Sequence, residues 1–279
     1  MSGVMFAKGH GTGNDFVLLP DLDGRLDLSP ELVRRLCDRR FGLGADGILR
    51  IVRSEVANDA GAQGAEIFMD HRNADGSLAE MCGNGIRVFA AYLVEHGLAD
   101  PAGIDIATRG GVRHVVRRPD GLFDVAMGPA VAGAGAATVA VGAAVWPATG
   151  VHMPNPHAVV FVDALDQAGD LLDPPAVTPA DVFPEGVNVE FVREVAPAHV
   201  EMRVHERGVG ETLSCGTGAC AVAWVARRRP GASDATSYRV DVPGGTVYVE
   251  EHDDGMHLIG PAEIVAAGAL DPAWSARWA

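Results

Sequence analysis

The chain has 279 residues, enough for about two domains at ordinary domain sizes. Its 37 acidic against 22 basic residues leave a formal charge of −15, which argues against nucleic acid or an anionic membrane surface as partner. Apolar residues at 48% and charged residues at 21% are the proportions of a chain that folds around a core.

Lys8 is the only lysine, so a lysine Schiff-base mechanism, pyridoxal phosphate chemistry included, would rest on that one side chain and is set aside. The four cysteines, Cys37, Cys82, Cys215 and Cys220, form no CxxC pair, and neither a zinc ribbon nor a disulfide scaffold is expected. Residues 1 to 8 lack a secretory leader pattern and no long apolar span follows, so the expected setting is cytoplasmic and thiol-reducing.

In chain order, short β-branched runs predict strands over Val4 to Lys8 and Asp15 to Leu19. A helix is predicted from Pro30 to Arg39, with Ser29 as its N-cap. A strand over Ile48 to Arg53 precedes a second helix, Gly85 to His96, in which Ile86, Phe89, Ala90 and Leu93 recur at helical spacing and Gly97 is the stop. Strands follow over Val112 to Arg118, Leu122 to Met127, Ala158 to Val162, Val187 to Arg193 and Val200 to His205. A third helix, Gly218 to Arg229, ends in three arginines that suit the negative end of its dipole. Strands over Thr246 to Glu251 and Ala262 to Ala267 complete the chain. Cys37 and Cys220 lie in apolar helical surroundings and read as core.

The chain repeats itself weakly at about half its length. Gly13-Asn14-Asp15-Phe16 resembles Pro154-Asn155-Pro156-His157, each an Asn at a turn feeding an apolar strand. Cys82-Gly83-Asn84-Gly85 matches Cys215-Gly216-Thr217-Gly218, and both run into an apolar helix. Two related lobes are therefore expected, residues 1–128 plus 261–279 carrying Cys82 and residues 129–260 carrying Cys215, with two thiols aimed into a cleft between them, where ligands favour binding. A glycine-flanked helix start aims N–H groups and the positive dipole end at a carboxylate, or at a thiolate whose pKa it lowers. Two thiols facing one substrate should titrate together, giving one base and one acid. That is what proton removal from one face of a carbon and return on the other requires, the layout of a racemase or epimerase.

With these residues in place the chain resembles the diaminopimelate epimerase family over nearly its whole length. The carrying motifs are Gly11-Thr12-Gly13-Asn14-Asp15-Phe16, Arg72-Asn73-Ala74-Asp75-Gly76-Ser77, Glu80-Met81-Cys82-Gly83-Asn84-Gly85, Asn155-Pro156-His157, Gly186-Val187-Asn188, His205-Glu206-Arg207-Gly208 and Ser214-Cys215-Gly216-Thr217-Gly218. The resemblance implies an α/β (α+β) fold of two pseudo-symmetric lobes, each a β-barrel-like sheet around a central helix. It implies interconversion of LL- and meso-diaminopimelate, for lysine and peptidoglycan supply, without cofactor or metal. Cys82 and Cys215 would be the acid–base pair and His157 and Glu206 the groups that tune them. Asn14, Asn73, Asn155, Asn188, Glu206 and Arg207 would bind substrate, with Gly83-Asn84 and Gly216-Thr217 holding the reacting carboxylate. A homodimer is expected.

Two departures from the family pattern stand out: Gly47 replaces a polar binding side chain found in some relatives, and the Ala262 to Ala267 strand lacks the aromatic residue often used there for the dimer contact. The rival readings are a proline-type racemase or hydroxyproline dehydratase on the same fold, and a thiol sensor that closes a reversible disulfide. A dehydratase usually lacks the second cysteine that Cys215 supplies, and proline racemases tend to carry His where this chain has Asn84.

Overall fold

The computed structural model describes residues 3–133, 135–275 and 277. The chain forms two compact units, Met1–Val125 with Pro261–Ala279, and Ala126–Gly260.

In the first unit β1 (Met5–Gly11) and β2 (Asn14–Pro20) form an antiparallel hairpin with Gly11 opposite Asn14. Thr12 and Gly13 have φ of 50° and 81°, the left-handed pair that a two-residue type I′ turn demands. Glycine adopts it freely; a β-branched threonine does so only when its surroundings hold it there.

Helix α1 (Pro30–Cys37) is capped as expected, Ser29 Oγ accepting from the Leu32 N–H at 3.2 Å. It stops short of Arg39 because Asp38 is already extended, at φ −62° and ψ 120°. β3 (Gly47–Arg53) joins β2 in parallel, and β4 (Ile67–Asn73) pairs antiparallel with β3. Residues Phe16 to Leu19 of β2 are buried on both faces: Val17 and Leu19 pack with Val33 and Leu36 of α1, while Phe16 and Leu49 close on Gly85. A sheet covered on both sides reads as a continuous apolar run rather than an alternating one.

The sequence pattern does not announce β4, because Asp70, His71 and Arg72 break its apolar run. Asp70 is nonetheless buried, held by Arg109 at 2.5 Å and Arg72 at 3.2 Å.

Helix α2 (Gly83–Glu95) is buried without a break from Gly83 to Leu93. It begins two residues before the predicted start because Gly83 and Asn84 already form its first turn. β5 (Ile104–Ala107), β6 (Arg113–Arg117) and β7 (Phe123–Gly128) follow; β5 pairs in parallel with β4, and β6 and β7 continue antiparallel.

The second unit contains β8 (Val131–Ala132), β9 (Ala137–Val141), β10 (Ala144–His152), β11 (Pro156–Phe161), β12 (Ala176–Thr178), β13 (Asn188–Ala196), β14 (His199–Glu206) and β15 (Gly210–Thr212). Helix α3 (Gly216–Ala226) and strands β16 (Ser237–Val242), β17 (Gly245–His252) and β18 (Gly255–Gly260) complete it. β11 and β13 pair in parallel, His157 opposite Asn188, and β14 returns antiparallel to β13. Ala158, Val160, Val189 and Phe191 share one core cluster on one face of these strands. The alternate residues, His157, Asn188 and Glu190, occupy the opposite face. α3 ends at Ala226, and Arg227, predicted as helical, is its C-cap.

The last strand, β19 (Glu263–Ala269), returns to the first unit and pairs antiparallel with β1, ahead of the single turn α4 (Pro272–Ser275). In each unit one helix is walled by strands: α2 packs against β1, β2, β3 and β19, and α3 against β10, β11, β13, β16, β17 and β18. The architecture is a mixed α/β fold dominated by sheet. Among the described residues no helix is long and apolar enough to cross a membrane.

One buried and one partly buried titratable group in the first unit set an acid limit on stability. Burial, then the charge of Arg109, holds the His71 imidazole down at about 4. Burial works to raise the Asp15 carboxyl, but hydrogen bonds from Arg39 and Lys8 prevail and hold it at about 2. Both folded values lie below the unfolded ones, so the stability they confer is complete above the unfolded values and is lost as pH falls through the folded ones. Urea unfolding should show a decline beginning near pH ~6.5 from His71 and continuing below pH ~4 from Asp15. His71→Gln should flatten the upper segment alone; an unchanged slope there would rule out His71 as its source.

Candidate functional site

Cys82 and Cys215 occupy the same structural position in their respective units. Each is the N-cap of the strand-walled helix, extended at φ −134°, ψ 122° for Cys82 and φ −118°, ψ 111° for Cys215. The first helical hydrogen bonds are also alike, Ile86 N–H to Cys82 O and Ala219 N–H to Cys215 O, both 2.9 Å. A helix leaves the N–H groups of its first turn without carbonyl partners in that helix. At Cys82 one of them reaches sulfur, Gly85 N–H donating to Sγ at 3.5 Å; at Cys215 the Gly218 N–H lies near Sγ without closing the same cap bond. All four cysteines are free thiols.

Around Cys82 the β1–β2 turn delivers Asn14. Its Oδ1 accepts from the Cys82 thiol at 3.5 Å and from Asn84 Nδ2 at 3.4 Å, while its Nδ2 donates to Asp46 at 2.8 Å. Asn84 is buried, and Arg87 Nη2 donates to its Oδ1 at 3.1 Å. Sequence reasoning missed Arg87, a fully buried guanidinium one turn into α2. It also bonds the Gly83 carbonyl at 3.0 Å, the Thr12 hydroxyl at 3.3 Å and the Pro261 carbonyl at 3.2 Å. These bonds hold the left-handed Thr12 and lock the hairpin turn to the helix start. The one sequence signal for it is an arginine at a position where the helix is otherwise apolar.

Asn73 ends β4 and bonds Ser77 at 3.0 Å within its own loop. Gly47 is required by packing: a Cβ there would lie 2.6 Å from the Arg72 carbonyl and 3.3 Å from His71 Nε2. The close approach of β3 and β4 thus leaves no room for a side chain at this position unless the strands shift.

Around Cys215 the groups come from four elements, α3, β11, β13 and β14. Thr217 Oγ1 on α3 lies 3.5 Å from the sulfur. Glu206, at the end of β14, accepts from the Thr212 hydroxyl and bonds the Cys215 thiol. Asn188 accepts the Arg207 N–H at 2.9 Å, and the Arg207 guanidinium reaches the Glu185 carbonyl at 2.8 Å. Gly186, at φ 82°, lies beneath that side chain, where a Cβ would meet Arg207 Cδ at 2.9 Å. His157 is fully buried, its Nε2 3.0 Å from Asn155 Oδ1 and its Nδ1 2.6 Å from Glu190 Oε1. Glu190, also fully buried, is a second residue that sequence reasoning missed. Its position inside an apolar strand is its only sequence signal.

The electrostatics of Cys215 differ from the sequence expectation of a lowered thiol pKa. Burial raises it first, then the charges of Glu206 and Glu190 raise it further, and the Thr217 and Gly218 hydrogen bonds only partly oppose them. The resting group is the thiol. Burial also raises the Glu206 carboxyl, against the Thr212 hydrogen bond and with help from the charge of Glu190. The pair is suited to passing a proton between carboxyl and sulfur rather than to keeping a standing thiolate. Cys37 and Cys220 are buried core thiols, and burial pushes Cys37 up to about 12.

A helix walled by strands in each of two units defines a class of α/β proteins that extends well beyond close relatives. A phenazine biosynthesis protein of the PhzF family from Bacillus anthracis shares the fold at a TM-score of 0.67 and 17% identity, over 97% of this chain and 100% of that one. Within that class the model of the family described as diaminopimelate epimerase matches residues 6–133 and 149–265. Curated diaminopimelate epimerases are similar over nearly their whole length: one from Streptomyces coelicolor at 54% identity, covering 97% of this chain and 96% of that protein, and one from Thermobifida fusca at 51%, covering 95% and 97%. The chain belongs to the diaminopimelate epimerase family.

The glycines that open the two helices make a controlled comparison. A Cβ on Gly218 would lie 2.7 Å from Glu190 Oε1, whereas one on Gly85 would come no nearer than 3.3 Å to Phe16, 3.4 Å to Leu49 and 3.5 Å to Cys82 Cβ. Urea unfolding should show Gly218→Ala losing about 1–3 kcal/mol from overpacking. Gly85→Ala should lose less, because alanine's better helix propensity offsets a mild contact. Equal losses would mean that Glu190 is free to move aside.

Proposed function

We propose that the protein interconverts LL- and meso-diaminopimelate through the thiols of Cys82 and Cys215, in the cytoplasm, as a step in lysine and peptidoglycan precursor supply. The observation that carries this reading is the matched pair of cysteine N-caps on two strand-walled helices, in a chain of this family. One sulfur, as thiolate, takes the α-proton. The C–H electron pair stays on carbon and spreads into the adjoining carboxylate, and the other sulfur, as thiol, returns a proton to the opposite face. The N–H groups opening each helix, at Gly83-Asn84 and Gly216-Thr217, stabilise the charge on the carboxylate oxygens. The sequence of transfers is complete without a metal or an organic cofactor.

Glu206 takes the Cys215 proton when that residue acts as base, and His157 serves as the second tuning group. Asn14, Asn73, Asn155, Asn188 and Arg207 read the amino and carboxylate groups of the substrate; Arg207 can grip a carboxylate bidentately and Glu206 can accept from an ammonium. A homodimer fits the exposure of β19, where Val265 is 56% exposed among exposed alanines.

Proton–deuteron exchange at the α-carbon, followed by NMR with LL-diaminopimelate in D₂O and no added cofactor, tests the reading. The reduced protein should exchange and invert, and Cys82→Ala and Cys215→Ala should each abolish inversion. No exchange by the reduced wild type would overturn the reading and turn attention to proline and hydroxyproline. Because the raised Glu206 carboxyl must ionise to accept the thiol proton, the exchange rate should climb with pH as it does so; Glu206→Gln should lower the rate about a hundredfold and remove that limb. Sedimentation should show a dimer that Val265→Glu converts to monomer.

A further inference from the structure

We propose that Glu190 is a positioning residue of the Cys215 site, its carboxylate gripping His157 by Nδ1 and holding the ring as a doubly protonated imidazolium. The proposal rests on the reading of His157 as a tuning group of the epimerase site.

Glu190 and His157 are both 0% exposed, on neighbouring parallel strands β13 and β11, with Nδ1 and Oε1 2.6 Å apart. A buried carboxylate costs several kcal/mol unless it is paired. No arginine or lysine bonds Glu190 among the described residues, and its Oε2 is buried without a hydrogen-bond partner. The imidazole is therefore its counter-ion. The second ring nitrogen, Nε2, also faces an acceptor, Asn155 Oδ1 at 3.0 Å. With the Asn155 carbonyl turned to the ring, a proton on each ring nitrogen satisfies both acceptors.

The groups around the pair agree with this assignment. From β14, the charge of Glu206 interacts with both His157 and Glu190, and from α3 the Cys215 thiol lies in the same field. The absent Cβ of Gly218 is what lets Oε1 approach α3, since a methyl there would sit 2.7 Å away. Asn188, on the same face of β13, is committed to the Arg207 N–H. An Asn–His–Glu chain thus runs from the turn before β11 to the N-terminus of α3. Held in this way, the His157 ring keeps one orientation, Nδ1 on Glu190 and Nε2 on Asn155, as a carboxylate-oriented imidazole does.

The test is imidazole ¹⁵N NMR of histidine-labelled reduced protein, with His157 assigned by a His157→Gln variant, alongside pH–rate profiles. At pH 7 both ring nitrogens of wild-type His157 should be protonated. Glu190→Gln, which keeps size and an acceptor oxygen but loses the charge, should lower the titration midpoint of His157 by about one unit or more. It should reduce kcat about tenfold or more with little change in KM, and Glu190→Asp should recover part of the loss. A single protonated nitrogen in the wild type, or a folded Glu190→Gln protein with unchanged His157 titration, would overturn the proposal. If Glu190→Gln fails to fold, the wild-type spectrum and Glu190→Asp still decide it. A doubly protonated His157 in a protein that does not epimerise diaminopimelate would refute the functional reading and leave the Glu190–His157 pairing standing.

Discussion

A helix enclosed by strands cannot present its first N–H groups to bulk water as a surface helix does, and something at its start has to accept from them. At Cys82 that acceptor is the sulfur of the N-cap; Cys215, equally extended and equally followed by glycine, takes the same place without closing the cap bond. The requirement links fold to chemistry. The walls supply the low-dielectric surroundings that make each N–H and each nearby charge count for more, and the glycines admit sulfur, carboxylate or substrate close to the helix axis.

The two starts meet the same requirement with different supporting residues. At Cys82 the support is cationic and amide: Arg87 is buried within α2 and fastens Asn84, Gly83 and Thr12, so that the β1–β2 turn and the helix form one rigid corner presenting Asn14 to the sulfur. At Cys215 the support is acidic: Glu206 touches the sulfur and Glu190 sits behind Gly218, and together they keep the thiol protonated despite the helix dipole. One repeated motif thus carries two different electrostatic surroundings.

Much of the site is legible in the sequence because its residues sit in short motifs whose geometry is local. Cys-Gly-x-Gly before an apolar run specifies a helix start wherever it occurs, and Thr-Gly-Asn between two strands specifies a tight turn. The segments that sequence pattern does not reveal depend on distant partners. β4 carries Asp70 and His71 through the protein interior, where Arg109 from the β5–β6 loop joins Arg72 of the same strand in neutralising Asp70. Both helices start two residues ahead of the predicted positions because Gly83-Asn84 and Gly216-Thr217 have poor helix propensity, and enclosure of the helix overrides that preference.

Residues adjacent in the chain are enough to specify the cysteine pair, the glycines beside it, the helices that follow and the family to which the chain belongs. The charge state around those cysteines is settled by the fold instead. Whether a thiol at a helix N-terminus is lowered by the dipole or raised by burial depends on which side chains other strands bring to it, and Glu190, Glu206 and His157 come from three of them. The closure of Gly47 by the Arg72 carbonyl has the same origin, in the approach of β4 rather than in anything about the residues that flank Gly47.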